Sequence, residues 1–171
     1  MANFAQQLTY RLLPMVLCIV FAPCFAATEV PVDFDFISLQ RTTCYGTCPA
    51  YSVVIRSDGH VIFKGQKFVS AIGMRTSQIP ISDLQLLSIA LKRISFDGLA
   101  SSYATSEDGC KEVWTDNPSL TIELRHKNSK KIVNYYLGCR GLPILGRLAW
   151  LADTIDEVAQ TSQWIGEDRK W

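Results

Sequence analysis

Asp58-Gly59 stands between two runs that alternate apolar and polar side chains, and no other pair in the chain constrains the fold as tightly. Tyr51, Val53 and Ile55 alternate with Ser52, Val54 and Arg56, the period-two pattern of a half-buried strand. Val61 and Phe63 carry the pattern onward after the pair. Asp-Gly in that setting predicts a two-residue hairpin turn, because both central residues need positive φ. A second hairpin is predicted downstream. There Leu120, Ile122 and Leu124 face one side and Thr121, Glu123 and Arg125 the other, with a turn at Asn128-Ser129 and a return over Lys131 to Leu137. Phe34, Phe36, Ile37 and Leu39 predict a strand ahead of the first hairpin, and residues 68–73 a further short one.

Two stretches switch to helical spacing. Leu84, Leu87, Leu91 and Ile94 lie three, four and three apart, on one helix face. Ser82 with Gln85 reads as a capping box, with Ile81 and Leu86 at staple positions. Asp97-Gly98 is expected to end that helix, with Phe96, Leu99 and Tyr103 packed beneath the turn. Pro143 suits the first turn of a second helix, where its missing N–H costs nothing. Leu148, Leu151, Ile155 and Val158 make its stripe, and Asp153, Asp156 and Glu157 sit off it. Trp164 is expected on the core and Trp171 at a frayed end. Residues 104–119, which carry Cys110, Trp114, Asp116 and Pro118, show no periodicity and read as a long loop. The implied class is α+β: an antiparallel sheet built from two β-hairpins plus an N-terminal strand, with two helices packed on one face.

The N-terminus limits where such a domain can reside. Arg11 is the only charged side chain before Glu29, and it precedes the apolar run from Leu12 to Ala22. That run is too short to cross a bilayer and ends in small residues, so residues 1–26 read as a cleaved export signal with the cut after Ala26. Pro14 weakens the alternative of a retained anchor helix, and Pro23 weakens lipid attachment at Cys24. Residues 27–171 then form one domain, with a core over about 33–165 and no transmembrane segment, periplasmic or secreted. The signal takes one of the 17 basic residues, leaving 16 against 16 acidic ones. That balance argues against nucleic acid as a partner. Lys127, Lys130 and Lys131 read as a solvated turn.

Cys18 and Cys24 leave with the signal, and Cys44, Cys48, Cys110 and Cys139 remain. An even count in an oxidising compartment implies disulfides, with three connectivities open. The favoured pairing joins Cys44 to Cys48 and Cys110 to Cys139. Gly46 can bend the first loop back, and Pro49 holds Cys48 extended at the start of the next strand. Two alternatives use the same cysteines. Thiol–disulfide redox at Cys44 and Cys48 suffers from three intervening residues, where oxidoreductases use two at a helix N-terminus. A four-cysteine zinc site suffers from the 29 positions between Cys110 and Cys139. His60 and His126 sit beside hairpin turns, and no hydrolase or phosphate-binding motif accompanies them. Asp108, Glu112 and Asp116 lie close together but lack the spacing of a calcium loop. Tyr45, Trp114 and Tyr135 could line a recognition surface or belong to the core.

Arg41, the run Cys44-Tyr45-Gly46-Thr47-Cys48-Pro49-Ala50-Tyr51 and Asp58-Gly59 resemble the hallmark of a family of bacterial exported proteins classed as a domain of unknown function, number 6438. Thr115, Asp116 and Pro118, and Lys131 with Val133, look similar to later family positions. The resemblance covers roughly residues 35 to 160 and implies a shared fold and an exported location. It implies no activity, so it assigns no catalytic residue and no cofactor. The expectation is an exported, disulfide-stapled, non-enzymatic binding domain of the bacterial envelope. It would meet an envelope protein or small ligand through the Cys44–Cys48 loop and the Cys110-bearing loop. Redox or metal handling at Cys44 and Cys48 is the alternative.

Overall fold

A computed structural model of the chain describes residues 30–166. The expected signal, Cys18, Cys24, the cut after Ala26 and Trp171 lie outside the described residues.

The first hairpin joins β2 (Ala50–Arg56) to β3 (His60–Lys67), with Ile55 opposite Val61 and Val53 opposite Phe63. Its loop holds three residues, 57–59, not two, and Gly59 alone takes positive φ, at +82°. The Asp58 carboxylate accepts the His60 N–H at 3.1 Å, so the aspartate caps the turn from its side chain and stays out of the left-handed region. The second hairpin joins β7 (Ser119–His126) to β8 (Ser129–Tyr136). Its turn falls on Lys127-Asn128, one position earlier than Asn128-Ser129, and Lys127 takes φ of +52°.

β1 (Phe36–Arg41) lies between the hairpins, antiparallel to β2 and to β7. Four further strands extend the architecture. β4 (Gly73–Gln78) pairs with β3, so the fourth strand begins where the expected one ended. Residues 68–72 are instead a turn that crosses Gly65, where a Cβ would lie 1.9 Å from the Ala71 carbonyl oxygen. β5 (Ser102–Tyr103) runs parallel to β8, which makes the sheet mixed and gives it seven strands in the order β4-β3-β2-β1-β7-β8-β5. β6 (Glu112–Val113), inside the region read as loop, forms a separate antiparallel pair with β9 (Cys139–Arg140).

One face of the large sheet carries the core. Ile37, Leu39, Tyr51, Val53, Ile55, Val61, Phe63, Leu120, Ile122 and Val133 alternate onto it and are buried. The helices α1 (Ile81–Ile94) and α2 (Ile144–Val158) pack their stripes against this face in one continuous cluster, so the class is α+β. α1 starts after Pro80, two residues earlier than a cap at Ser82 requires. Ser82 therefore falls inside the first turn, where its hydroxyl meets the Asp83 carboxylate at 3.4 Å and caps nothing. Ile81 and Leu86 form no staple; they are 58% and 53% exposed. Ser95, with φ of +54°, ends α1 ahead of Asp97-Gly98, which belongs to a following 3-10 turn. α3 (Ser162–Ile165) brings Trp164 onto Phe63, with ring centres 5.0 Å apart.

Candidate functional site

β1 ends on the core-facing row, and its last residue is a cation. Arg41 is 3% exposed and stands opposite Tyr51 on one side and Leu120 on the other. An unpaired guanidinium there would be prohibitive, so a partner must come from the helix layer. Arg41 Nε donates to Asp156 Oδ2 at 3.0 Å, and Nη2 lies 2.9 Å from the same oxygen. Nη2 also donates to Asp153 Oδ1 at 3.0 Å. The Tyr51 hydroxyl donates to Asp156 Oδ1 at 2.7 Å, and Thr161 Oγ1 donates to that oxygen at 2.9 Å.

The titration of this cluster follows from its burial. Desolvation alone would lower the Arg41 pKa, but Asp156, Tyr51 and Asp153 outweigh it and hold the guanidinium charged. Burial and the Asp156 carboxylate push the Tyr51 hydroxyl far above its ordinary value. Burial also raises Asp156, against the pull of Arg41, Tyr51 and Thr161. The cluster is a closed polar clamp between sheet and helix, and its chemistry is that of a structural tie.

Asp156 and Thr161 escape a reading of the sequence by stripe alone. The signal was nonetheless present: Asp156 lies four positions after Ala152 and three before Ala159, both fully buried, so it sits on the inner edge of α2.

Directly beyond Arg41 the chain leaves the sheet. Thr42 N–H donates to the Ser119 carbonyl at 2.9 Å, and Ser119 N–H returns a bond to Thr42 Oγ1 at 2.8 Å. The loop is then closed by the Cys44–Cys48 disulfide, with Cα atoms 5.5 Å apart. Within it, Gly46 N–H meets the Cys44 carbonyl at 2.9 Å, and Pro49 is buried at the mouth of β2. Tyr45 N–H donates to the Asp116 carbonyl at 3.1 Å while its ring points to solvent, 89% exposed.

That bond joins the cysteine loop to the second clipped segment. Cys110 and Cys139 are bonded, buried, and 5.3 Å apart at Cα. Beyond Cys110 the segment is held by Trp114 N–H on the Gly138 carbonyl at 2.9 Å and by the Tyr136 hydroxyl on the Trp114 carbonyl at 2.8 Å. Trp114 is 55% exposed, with its indole N–H on Glu112 at 3.0 Å and the Arg140 guanidinium 4.6 Å from the ring centre. Asp116 takes φ of +68° and Asn117 turns its amide back onto the carbonyls of Trp114 and Thr115. Tyr45 and Trp114 thus stand on two adjoining segments, each tied by a disulfide. Tyr135 does not join them: it is buried on the core face of β8.

The remaining sequence candidates separate. Asp58, Gly59, His60 and His126 lie at the hairpin tips, the opposite end of the sheet from the cysteine loop. His60 is exposed, and His126 Nδ1 lies 3.3 Å from Asp33. The Asp108 carboxylate accepts from Ser102 Oγ and from the Ala104 and Thr105 N–H groups. Those bonds lower its pKa, the Ser102 bond most. Glu112 is engaged by Trp114 and Asp116 by Thr115. Among the described residues no cluster of three or more His, Cys, Asp or Glu is arranged to hold a metal ion. No described helix is long and apolar enough to cross a membrane.

A family model described as a domain of unknown function, DUF6438, matches residues 35–159. The match takes in Arg41, both disulfides, Tyr51 and Asp156. A search of the curated proteins finds no match to the chain.

Proposed function

The chain belongs to the DUF6438 family, whose function is unassigned, and on that footing we propose that it serves as an exported, non-enzymatic binding domain. Its contact surface is the Cys44–Cys48 loop together with the Cys110-bearing segment, and its partner is an envelope protein or a small ligand. The observation that carries this reading is the Tyr45 ring. It is held 89% exposed on a loop that a disulfide closes and a backbone bond pins to Asp116. Exposed aromatic rings are the commonest anchors of binding surfaces, and a loop ordered in advance does not bear that entropy cost on association. Two disulfides suit an oxidising compartment, and the N-terminal 26 residues have the pattern of an export signal.

The test places a photo-crosslinking residue at position 45, at 114, and at Arg56 on the solvent-facing row of β2. A shared adduct from 45 and 114, absent from 56, is the expected result. Equal labelling from all three positions, or none from any, would sink the reading. Cell fractionation with protease shaving tests export separately.

A second reading, thiol–disulfide exchange at Cys44–Cys48, draws on one contrast. That bond is partly exposed, whereas Cys110 and Cys139 are buried. It requires Cys44 or Cys48 to form a mixed disulfide with a partner thiol, which trapping with a Cys48→Ser variant would reveal.

A further inference from the structure

The outer surface of the two long helices is less polar than a solvated helix face should be. On α1, Leu86 and Ile89 are 53% and 46% exposed; on α2, Trp150 is 39% exposed. These side chains border a groove of about 470 Å³ between the helices, room for several side chains of a partner ridge. At one end of the groove Arg93 lines a smaller pocket together with Gly146, Arg147 and Trp150, and the Arg93 guanidinium stacks 5.1 Å from the Trp150 ring centre. The C-terminus of α1 therefore lies beside the N-terminus of α2, and the helices run antiparallel.

The charges around this apolar centre are segregated. Asp83 and Glu157 mark one end of the groove, Arg93 and Arg147 the other. Asp83 and Arg93 are ten positions apart, as are Arg147 and Glu157, so both separations span about 15 Å along their helices. A two-fold axis through the middle of the groove, lying in the plane of the face and perpendicular to the helices, lays the acidic end of one copy over the basic end of another and the apolar ridges over each other. On α2 the arrangement also opposes the helix dipole. Arg147 is the fourth residue and Glu157 sits in the last turn, each near the terminus that disfavours its sign. Local helix stability does not account for that placement, whereas pairing with an inverted copy does.

We infer that the α1–α2 face is an isologous dimer interface, occupied by the same face of a second copy of this chain. A closed two-fold contact of this kind has the self-complementarity that the groove displays. The interface lies on the helix layer and leaves the Tyr45 and Trp114 segments free.

The test is sedimentation velocity across a concentration series, on the chain purified as the cell processes it. The wild type is expected to pass from monomer to dimer. Arg147→Glu makes both α2 ends acidic, and Glu157→Lys makes both basic. Each places like charges opposite in a homodimer and is expected to weaken it about tenfold or more. An equimolar mixture of the two variants restores opposite charges at both ends and is expected to dimerise again. Both changes suit the α2 dipole, so folding is retained, and thermal melts check it. Leu86→Glu is expected to abolish association in every combination. A wild type that stays monomeric, or variants that associate as it does, would overturn the proposal. So would a mixture that fails to recover, which would assign the groove to a different occupant.

Discussion

Arg41 and Asp156 meet at 3.0 Å although 115 positions of chain separate them. The first strand and the last long helix are thereby joined through one buried carboxylate oxygen. Removing Arg41 leaves the Asp156 carboxylate without its countercharge, and removing Asp156 leaves the buried guanidinium dependent on the exposed Asp153. Asp156→Ala or Arg41→Ala is therefore expected to cost about 3–5 kcal/mol in denaturant titrations, while an apolar pair such as Arg41→Met with Asp156→Leu recovers much of the loss. A double variant no better than the singles would show that the clamp is worth more than burial can replace.

The two disulfides are expected to part under reduction. A mild dithiol should open Cys44–Cys48 in the folded protein and spare Cys110–Cys139 until the fold itself opens, because only the first is reachable from solvent. Loop-closure entropy ranks them the same way: about 2 kcal/mol for the short clip against about 3–4 kcal/mol for the long one. Alkylation followed by intact mass reads the order. Simultaneous loss of both bonds would contradict it.

Asp108 ties the turn after β5 through one hydroxyl and two backbone N–H groups, and its folded pKa lies below the ordinary value. A lowered carboxyl contributes stability above the carboxylate range and loses it as pH falls through that range. Asp156 titrates with the opposite sign, since burial raises it, and adds nothing to this acid loss. The stability gap between the wild type and Asp108→Asn should therefore be full near neutrality and close in acid. Melting temperatures measured along a pH series check it, and a gap independent of pH would assign the effect to packing.

Gly138 leaves no space for a side chain: a Cβ there would sit 2.0 Å from the Trp114 carbonyl oxygen and 2.3 Å from the Tyr136 ring. Gly138→Ala must displace the strap that carries Trp114. The expected result is a cost of roughly 1–3 kcal/mol, as for other overpacked sites, together with a shifted Trp114 fluorescence. An unchanged spectrum would show that the strap yields elsewhere.

The residues that could be read in advance share one property, a buried face with a regular period. Val53, Ile55, Val61, Phe63, Leu120 and Ile122 alternate because one side of their strands meets the helices. Leu84, Leu87, Leu91 and Ile94 recur because one side of α1 meets the sheet. β4 has no such face: Met74, Arg75 and Thr76 on this edge strand are exposed in succession, and no alternation announces it. The two-residue strands β5, β6 and β9 are too short to have a period and exist through their partners. The same holds for the boundaries, where a capping side chain at Asp58 lengthened a turn by one residue and a proline at position 80 started a helix two residues early. At the clipped surface the cysteine motif pointed to the loop, but the Tyr45 bond to Asp116 joins positions 71 apart and left no local trace.

The position of β1 carries a consequence for how the chain is made. It is the first strand and also the middle one, with β2 on one flank and β7 on the other. During synthesis β1 to β4 can form a meander from neighbouring segments alone, but the open edge of β1 stays unpaired until β7 emerges. Arg41 then waits longer still, since Asp153 and Asp156 are reached only near the end of translation. A partly made chain therefore has a strand edge without its partner and an arginine that cannot yet be buried. A chain cut before position 153 would lack both carboxylate partners of Arg41, so completion of α2 is what lets the end of β1 be buried.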